Sequence, residues 1–195
     1  MAASSTGATA SVPARCTAGT GQKVVRTTGS VRILKLRSGA TRVCSRRTWR
    51  SRLLDGDQDT ESSTVLSVRG SYVADQLFVT QRDNEYSISV RVLDADRAQF
   101  RLATDAFSAS CCIYPASTSP SYGVRSAALG ASGNLAWIAS RIVNDPVLEV
   151  RYSAGGRASR LLDSDAAIDA TSIALSRSYA FWQRADGARS ARLDP

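Results

Sequence analysis

Four carboxylates alternate along one short stretch of the sequence, at Asp55, Asp57, Asp59 and Glu61. Hard cations such as calcium accept oxygen ligands spaced in this way. The stretch departs from an EF-hand loop, because Thr60 stands sixth, where glycine is required, and Leu66 stands twelfth, where glutamate is required. The layout is repeated by Asp163, Asp165 and Asp169. We therefore favour an exposed acidic loop with a structural role, and a calcium site at the four residues is the alternative.

Arginines form the densest cluster of charge in the sequence, and they surround Trp49. The cluster consists of Arg42, Arg46, Arg47, Arg50 and Arg52. Guanidinium groups and an indole ring bind polyanions by charge and by stacking. Side chains of a strand alternate between its two faces, however, so Arg46, Trp49 and Arg50 do not form one designed surface. Polyanion binding here is an alternative function, and nucleic acid is a disfavoured partner because no nucleic-acid-binding fold accompanies the basic composition.

Histidine is absent from the sequence, whose net charge is +8. The absence excludes Ser-His-Asp and Cys-His catalysis, two-histidine zinc sites and imidazole pH switches within the chain. The charge is unevenly placed. Residues 1–54 carry two lysines and nine arginines with no acid, which is +11, whereas residues 55–195 carry 14 arginines and 17 acids, which is −3. A basic N-terminal part is therefore joined to a nearly neutral body.

The four cysteines fit neither a zinc nor a thioredoxin spacing, so disulfides account for them best. We predict a bridge between Cys16 and Cys44, which are 28 residues apart. Closing a loop of this length stabilises the fold by about 3 to 4 kcal/mol. Cys111 and Cys112 are adjacent, and a bridge between neighbours is a strained ring. These two are free, vicinally oxidised or paired with the first two.

Disulfides persist in oxidising compartments, so the cysteines favour an extracellular or cell-envelope location. The first ten residues have neither the basic nor the apolar region of a signal peptide. Ala8-Thr9-Ala10 has the A-x-A form that precedes a signal-peptidase site, which fits either a sequence that starts late or a linker of small residues. No run of about 18 apolar residues is present, so the sequence predicts no transmembrane segment.

Internal self-similarity is the strongest signal in the sequence. Residues 52–57 read RLLDGD and residues 160–165 read RLLDSD. In the same alignment Arg69 matches Arg177. An intermediate copy lies between these stretches, and Trp137 and Trp182 occupy equivalent apolar strands, which predicts that they pack in a core. Similarity of this kind indicates repeated copies of one supersecondary unit.

Each copy alternates apolar and polar residues and has turns of small or polar residues, as in β-hairpins. No stretch predicts a helix. We predict an all-β fold, a β-propeller-like array of four-stranded antiparallel meander blades that is partial or distorted. A flexible segment at residues 1–22 precedes the repeat domain at residues 23–195. The units span about 23–54, 64–104, 124–163 and 172–195, with the first and last incomplete and an insertion at 105–123.

Two of the units carry a further pattern of residues. In one unit Leu129 is followed along the sequence by Ala136-Trp137. In the other, Leu175 is followed by Ala180-Phe181-Trp182-Gln183 and then by Asp186-Gly187. Over residues 23–195 the chain resembles the degenerate blades of secreted TolB-like propeller proteins of high-GC actinobacteria. The Gly-His and Trp-Asp pairs of WD40 repeats are missing. The resemblance implies a binding or interaction scaffold and supplies no catalytic residue.

The sequence thus predicts a non-enzymatic, extracytoplasmic scaffold that binds an unknown protein or surface ligand through loops at one face. The alternative enzyme is a carbohydrate-active hydrolase that uses two of the 17 acids. Such an enzyme requires two carboxyl groups about 5 to 9.5 Å apart in a cleft. No cofactor is predicted apart from the calcium alternative.

Overall fold

The computed structural model describes residues 13–55, 61–80, 86–109, 123–140 and 147–193. Within these ranges fifteen strands form four antiparallel sheets, three with four strands and one with three. The one helical element of the described ranges is a single 3-10 turn at Ala14–Cys16. The predicted all-β fold of antiparallel meanders is confirmed.

The four sheets follow one another along the chain. The first sheet contains β1 (Lys23–Thr27), β2 (Val31–Lys35), β3 (Thr41–Ser45) and β4 (Ser51–Leu53). The second contains β5 (Glu61–Arg69), β6 (Tyr72–Thr80), β7 (Tyr86–Asp94) and β8 (Gln99–Ala109). The third contains β9 (Gly123–Leu129), β10 (Leu135–Ser140), β11 (Leu148–Ser153) and β12 (Arg160–Asp165). The fourth contains β13 (Ala174–Leu175), β14 (Tyr179–Arg184) and β15 (Gly187–Arg192).

Alternating side chains explain why these segments are strands. In β14 the buried residues are Ala180 and Trp182, and they alternate with the exposed Tyr179 and Phe181. In β10, by contrast, every residue from Leu135 to Ser140 is buried. A strand with one covered face alternates in this way, whereas a strand with two covered faces is continuously apolar. The third sheet is therefore an inner layer, and the fourth has one open face.

The sheet boundaries differ from the predicted units in two places. The first unit, predicted to be incomplete, has four strands because Ser51–Leu53 pairs with β3. This strand has only three residues, which is too short for an alternation to be visible in the sequence. The insertion predicted at residues 105–123 begins inside a strand, because β8 continues to Ala109 in register with β7.

Three buried apolar clusters join consecutive sheets face to face. The cluster between the first and second sheets includes Val31, Ile33, Val43, Val73 and Leu93. The cluster between the second and third sheets includes Val90, Val92, Leu102, Leu135 and Trp137. The cluster between the third and fourth sheets includes Ile138, Val150, Tyr152, Trp182 and Leu193. The sheets therefore stack in chain order, in a propeller-like arrangement.

The two outermost faces of the stack differ. On the first sheet the outward-facing Leu34 and Cys44 are fully buried. On the fourth sheet Tyr179 is 41% exposed and Phe181 is 43% exposed, and their ring centroids lie 6.1 Å apart. Among the described residues, no buried cluster joins the first sheet to the fourth. The outer face of the first sheet is therefore covered at its central strands, whereas Val24 and Leu53 at its edges are each 41% exposed, and the outer face of the fourth sheet is open.

The N-terminal segment covers the outer face of the first sheet. Residues 1–22 are predicted to be flexible, yet in their described part, residues 13–22, Cys16 is fully buried. Its Sγ atom lies 2.17 Å from that of Cys44, at the distance of a disulfide bond. Arg32 donates to the backbone oxygen of Cys16 at 3.1 Å, and Arg42 donates to that of Arg15 at 3.2 Å. Covalent and polar contacts together fix this segment to the sheet.

Replacing both Cys16 and Cys44 by serine lowers the free energy of unfolding by about 3 to 4 kcal/mol. The reason is that the disulfide closes a loop of 28 residues, and without it the unfolded chain regains conformational freedom. Urea unfolding followed by tryptophan fluorescence measures the change. Wild-type protein assayed with a reductant serves as the control and loses a similar amount. An unchanged unfolding midpoint in the double variant contradicts a stabilising bridge.

Candidate functional site

Antiparallel meanders bring the first and third turns of the four-stranded sheets, and the first turn of the three-stranded sheet, to the same end of the stack. This hairpin end comprises turn residues 28–30, 46–50, 70–71, 95–98, 130–134, 154–159 and 176–178. Neighbouring sheets contact each other there. The Ser45 hydroxyl of the first sheet donates to Asp96 of the second at 2.6 Å, and Arg69 of the second donates to the backbone oxygen of Leu129 of the third at 3.3 Å. The hairpin end is therefore one continuous surface.

Arginines dominate the hairpin end. Its turns contain six arginines and one aspartate, a net charge of +5, at Arg46, Arg47, Arg50, Asp96, Arg97, Arg157 and Arg177. The described connections at the opposite end, residues 36–40, 54–55, 166–173 and 185–186, contain Arg37, Asp55, Asp169 and Asp186, a net charge of −2. The stack is therefore positively charged at the hairpin end and weakly negative at the other.

Turns of three sheets converge on a pocket of about 240 Å³ at the hairpin end. Its lining includes Arg69 of the second sheet, Gly130, Ser132 and Asn134 of the third, and Ser176 and Arg177 of the fourth. No described residue of the lining is acidic. Sites for whole drug-sized ligands have volumes of about 300 to 1,000 Å³, so this pocket fits a small charged group.

Hydrogen bonds position the guanidinium of Arg69 and the backbone of Arg177 at the pocket. Arg69 is the last residue of β5, and its bond to Leu129 holds the guanidinium against the third sheet. Arg177 follows Ser176, whose hydroxyl accepts the amide hydrogen of Tyr179 at 3.0 Å and donates to the Tyr179 backbone oxygen at 3.1 Å. Serine side chains stabilise tight turns by bonds of this type. The backbone beneath Arg177 is therefore held in one conformation.

Glycines in the middle turn allow the flanking sheets to approach the pocket. A Cβ atom at Gly130 would lie 3.2 Å from Cδ2 of Leu175 in the fourth sheet. Gly133 has a φ of +84°, and a Cβ atom there would lie 3.0 Å from the Tyr72 ring of the second sheet. Both contacts are tighter than ordinary van der Waals separations. Small residues are therefore required where the three sheets meet.

The predicted arginine cluster is divided between three surfaces. Arg46, Arg47 and Arg50 belong to the hairpin end. Arg46 donates to the backbone oxygen of Thr28 at 2.8 Å, and Arg47 pairs with Asp96 at 2.8 Å. Arg42 lies on the outer face of the first sheet, whereas Arg52 lies on its inner face, 5.4 Å from the centroid of the Phe100 ring. The five arginines therefore do not form one binding surface.

The predicted calcium residues are only partly within the described chain. Asp55 is buried, where one carboxylate oxygen accepts the amide hydrogen of Thr41 at 3.0 Å and the other accepts the Ser63 hydroxyl hydrogen. Glu61 begins β5, and Asp57 and Asp59 lie outside the described residues, as do Cys111 and Cys112. The described part of the chain brings no three potential metal ligands together. Asp55 joins the first sheet to the second.

Asp163, Asp165 and Asp169, which repeat this acidic pattern, also make contacts within the fold. Asp163 accepts the indole hydrogen of Trp182 at 2.7 Å, which links the third and fourth sheets. Arg184 pairs with both Asp163 and Asp165 across the same interface. Asp169 accepts hydrogen bonds from the amide and hydroxyl of Thr171 within its own loop. The contacts of these acids are structural.

A buried ion pair lies between the first and second sheets. Asp75 and Arg91 are cross-strand partners, and the guanidinium of Arg91 donates to the Asp75 carboxylate. It also donates to the backbone oxygen of Leu54 in the first sheet at 2.7 Å and lies 4.5 Å from the centroid of the Phe100 ring. Burial raises the pKa of Asp75 to about 6, and the charge of Arg91 opposes that rise. The pair joins the two sheets through Arg91.

A cleft of about 360 Å³ opens beside this pair and is lined in part by Arg52, Asp55, Glu61, Arg91 and Phe100. Two residues with carboxyl groups, Asp55 and Glu61, line this cleft. Both oxygens of Asp55 already accept hydrogen bonds, and Glu61 is also engaged in an interaction. Asp75 is paired with Arg91. Asp55 and Glu61 are therefore engaged in contacts within the fold, and Asp75 uses one of its two oxygens on Arg91.

The sequence predictions did not include the two arginines of the pocket as site residues. The signal was present, because the repeat alignment places Arg69 over Arg177 in two different units. What the sequence does not show is that these two turns, 108 residues apart, meet at one pocket. The meeting depends on the stacking of the third sheet between them.

Comparisons of the chain with protein-family models, with curated proteins and with solved structures found no match. The described residues include no helix of the length and hydrophobicity that crossing a membrane requires. The properties of the candidate site are therefore argued from its own geometry.

Asp75 makes stability fall with rising pH. Its pKa in the folded protein, about 6, lies above the ordinary 3.8, so the folded state holds this proton more tightly than the unfolded chain does. The resulting stabilisation is fully present below about pH 4 and is lost as the pH rises through about 6. The free energy of unfolding of the wild type, relative to Asp75→Asn, therefore falls by about 2 kcal/mol between about pH 4 and pH 7, as measured by urea unfolding.

Asp169→Asn is the matched control for this measurement. Hydrogen bonds from the backbone and side chain of Thr171 lower the pKa of Asp169, which is exposed. Its stabilisation is present above the ordinary pKa and is lost as the pH falls, so the difference between the wild type and this variant changes in the opposite direction. A difference for Asp75→Asn that is flat or rises with pH contradicts the assignment.

Proposed function

We propose that the chain is a non-enzymatic β-repeat scaffold that binds an anionic protein or surface ligand at its hairpin end. The observation that carries the proposal is the net charge of +5 on turns supplied by all four sheets. Loops held by a rigid scaffold are where proteins most often place binding residues. A surface of one sign attracts ligands of the opposite sign and speeds their association.

The state of the carboxylates argues against the hydrolase alternative. General acid catalysis and nucleophilic attack need carboxyl groups that face substrate and are not already bound within the fold. Asp55, in the cleft between the first two sheets, accepts two protein hydrogen bonds, and Asp75, buried beside that cleft, pairs with Arg91. The absence of histidine removes the commonest general base as well. Binding without catalysis is the function that the described geometry supports best.

The finer assignments of family and compartment belong to this proposal. Four meander sheets stacked in chain order support a likeness to secreted TolB-like propellers of the actinobacterial type. Cys16 and Cys44 at disulfide distance support an extracellular or cell-envelope location, because such bonds persist in oxidising compartments. A scaffold in that location meets charged polymers and proteins at the cell surface.

The division of the arginine cluster refines the polyanion alternative. Arg46, Arg47 and Arg50 share the hairpin end with Arg97, Arg157 and Arg177, which come from later sheets. Recognition therefore involves the whole hairpin end and is not confined to the N-terminal region. Contacts of this electrostatic kind weaken as salt concentration rises.

Heparin chromatography tests the proposal with two matched double variants. Arg50→Gln/Arg157→Gln removes two exposed arginines from the hairpin end outside the pocket, whereas Arg37→Gln/Arg125→Gln removes two exposed arginines elsewhere. Both variants lose the same net charge. The hairpin-end variant elutes at a lower salt concentration than the wild type, because it has lost contacts to the polyanion. The control variant elutes close to the wild type.

Equal shifts for the two variants contradict a localised binding surface, since they would report net charge alone. Elution of the wild type that does not depend on salt contradicts the electrostatic mechanism itself. Turnover of aryl glycosides by the wild type, abolished in Glu61→Gln, overturns the non-enzymatic assignment in favour of the hydrolase.

A further inference from the structure

Two arginines from equivalent turns of the second and fourth sheets line one pocket at the hairpin end. We infer that the pocket between Arg69 and Arg177 binds a doubly charged tetrahedral oxyanion, the terminal phosphoryl group of a small ligand. The inference rests on the proposed function and adds to it the chemistry of one ligand group. Four observations support it: the uncompensated charge, the available donors, the pocket volume, and the fixed position of the Arg69 guanidinium and of the Arg177 backbone.

No acidic residue in the described part of the chain neutralises the charge of the pocket. Elsewhere at the hairpin end Arg47 pairs with Asp96 at 2.8 Å and Arg97 lies 3.8 Å from Asp94. Arg177, in contrast, forms no ion pair and no side-chain hydrogen bond with any described residue, and Arg69 bonds only to a backbone oxygen there. Two like charges at one pocket repel each other, and a bound dianion removes that repulsion.

The donors in the pocket exceed what one carboxylate accepts. A guanidinium has five N–H donors in a planar fork, and Arg69 uses one of them on Leu129. The hydroxyl of Ser132 forms no hydrogen bond within the described residues and adds a further donor to the lining. A carboxylate matches one such fork, whereas a terminal phosphate presents three strong acceptor oxygens to several donors at once. The donor set therefore favours a tetrahedral dianion.

The volume and rigidity of the pocket agree with a small ligand group. A space of about 240 Å³ is smaller than the sites of whole drug-sized ligands, so the group bound is terminal or compact. The bond from Arg69 to Leu129 holds one guanidinium before any ligand arrives, and the turn formed by Ser176 holds the backbone that carries the exposed Arg177 side chain. Donors that are already in place bind more tightly, because less conformational freedom is lost on binding.

Titration of the full chain, followed by amide and arginine side-chain NMR at constant ionic strength, tests the inference. The probes are inorganic phosphate, glycerol 3-phosphate and perchlorate, which is tetrahedral but singly charged. Phosphate and glycerol 3-phosphate give saturable shifts at Ser132, Asn134 and Arg177, and perchlorate gives none that saturate. Tighter binding of glycerol 3-phosphate than of phosphate shows that the ester part of the ligand also contacts the pocket, whereas equal binding confines recognition to the phosphoryl group.

Two substitutions remove the donors singly. Arg69→Gln or Arg177→Gln weakens phosphate binding about tenfold or more, as expected for loss of a hydrogen bond to a charged group. Arg177→Lys keeps the charge but not the fork, and it weakens binding by a smaller factor. Arg125→Gln, which removes an exposed arginine outside the pocket, changes the affinity by less than about twofold. Because Arg177 lies in an exposed turn, its variants do not endanger the fold.

Several results overturn the inference. They are shifts that map outside the pocket, saturation by perchlorate with the affinity of phosphate, and equal weakening by Arg125→Gln and Arg177→Gln. The heparin measurement uses neither Arg69 nor Arg177, so the two proposals fail separately. If phosphate does not bind while heparin elution still depends on Arg50 and Arg157, the phosphoryl site is wrong and the scaffold proposal stands.

Discussion

Apolar packing between the faces of consecutive sheets is the interaction on which the rest of the structure depends. A four-stranded meander buries too little surface to be stable alone, so each sheet needs a neighbour. In β10 the adjacent residues Trp137 and Ile138 belong to different clusters, one on each side of the third sheet. Strands that are covered on both faces present only their ends to other molecules. The turns and connections are consequently where this chain has room for recognition.

At the interface of the first and second sheets, a buried ion pair stands where later interfaces have a tryptophan. On the second strand of the third and fourth sheets, Trp137 and Trp182 pack towards the preceding sheet. On the second strand of the second sheet, Asp75 faces the first sheet and pairs with Arg91. A buried ion pair adds little net stability, because desolvation offsets the attraction. The hydrogen bond from Arg91 to the Leu54 backbone forms only when the first and second sheets are correctly arranged. The ion pair therefore contributes to the specificity of the interface between these two sheets.

The sequence was sufficient for the fold class, because alternating burial is visible in the side chains of strands such as β14. It was insufficient for β4, whose three residues show no alternation. The pairing of Cys16 with Cys44 was predicted from the length of the loop that the bridge closes, which the sequence shows directly. In the structure the two cysteines lie at disulfide distance. The Asp75 and Arg91 pair depends on the register of β6 against β7, and the pocket depends on three sheets stacking in order. Neither relation is local in the sequence.

The unequal charges of the two ends of the stack have a consequence for how partners arrive. In the described turns and connections, the separation of +5 from −2 along the strands gives an electric dipole, which turns the molecule during diffusion towards a negatively charged surface. Orientation before contact raises the fraction of productive collisions, so the main benefit is to the association rate rather than to the lifetime of the complex. At physiological salt, counterions largely screen this attraction at distances beyond about 8 Å, so it acts only when the two surfaces are closer than that.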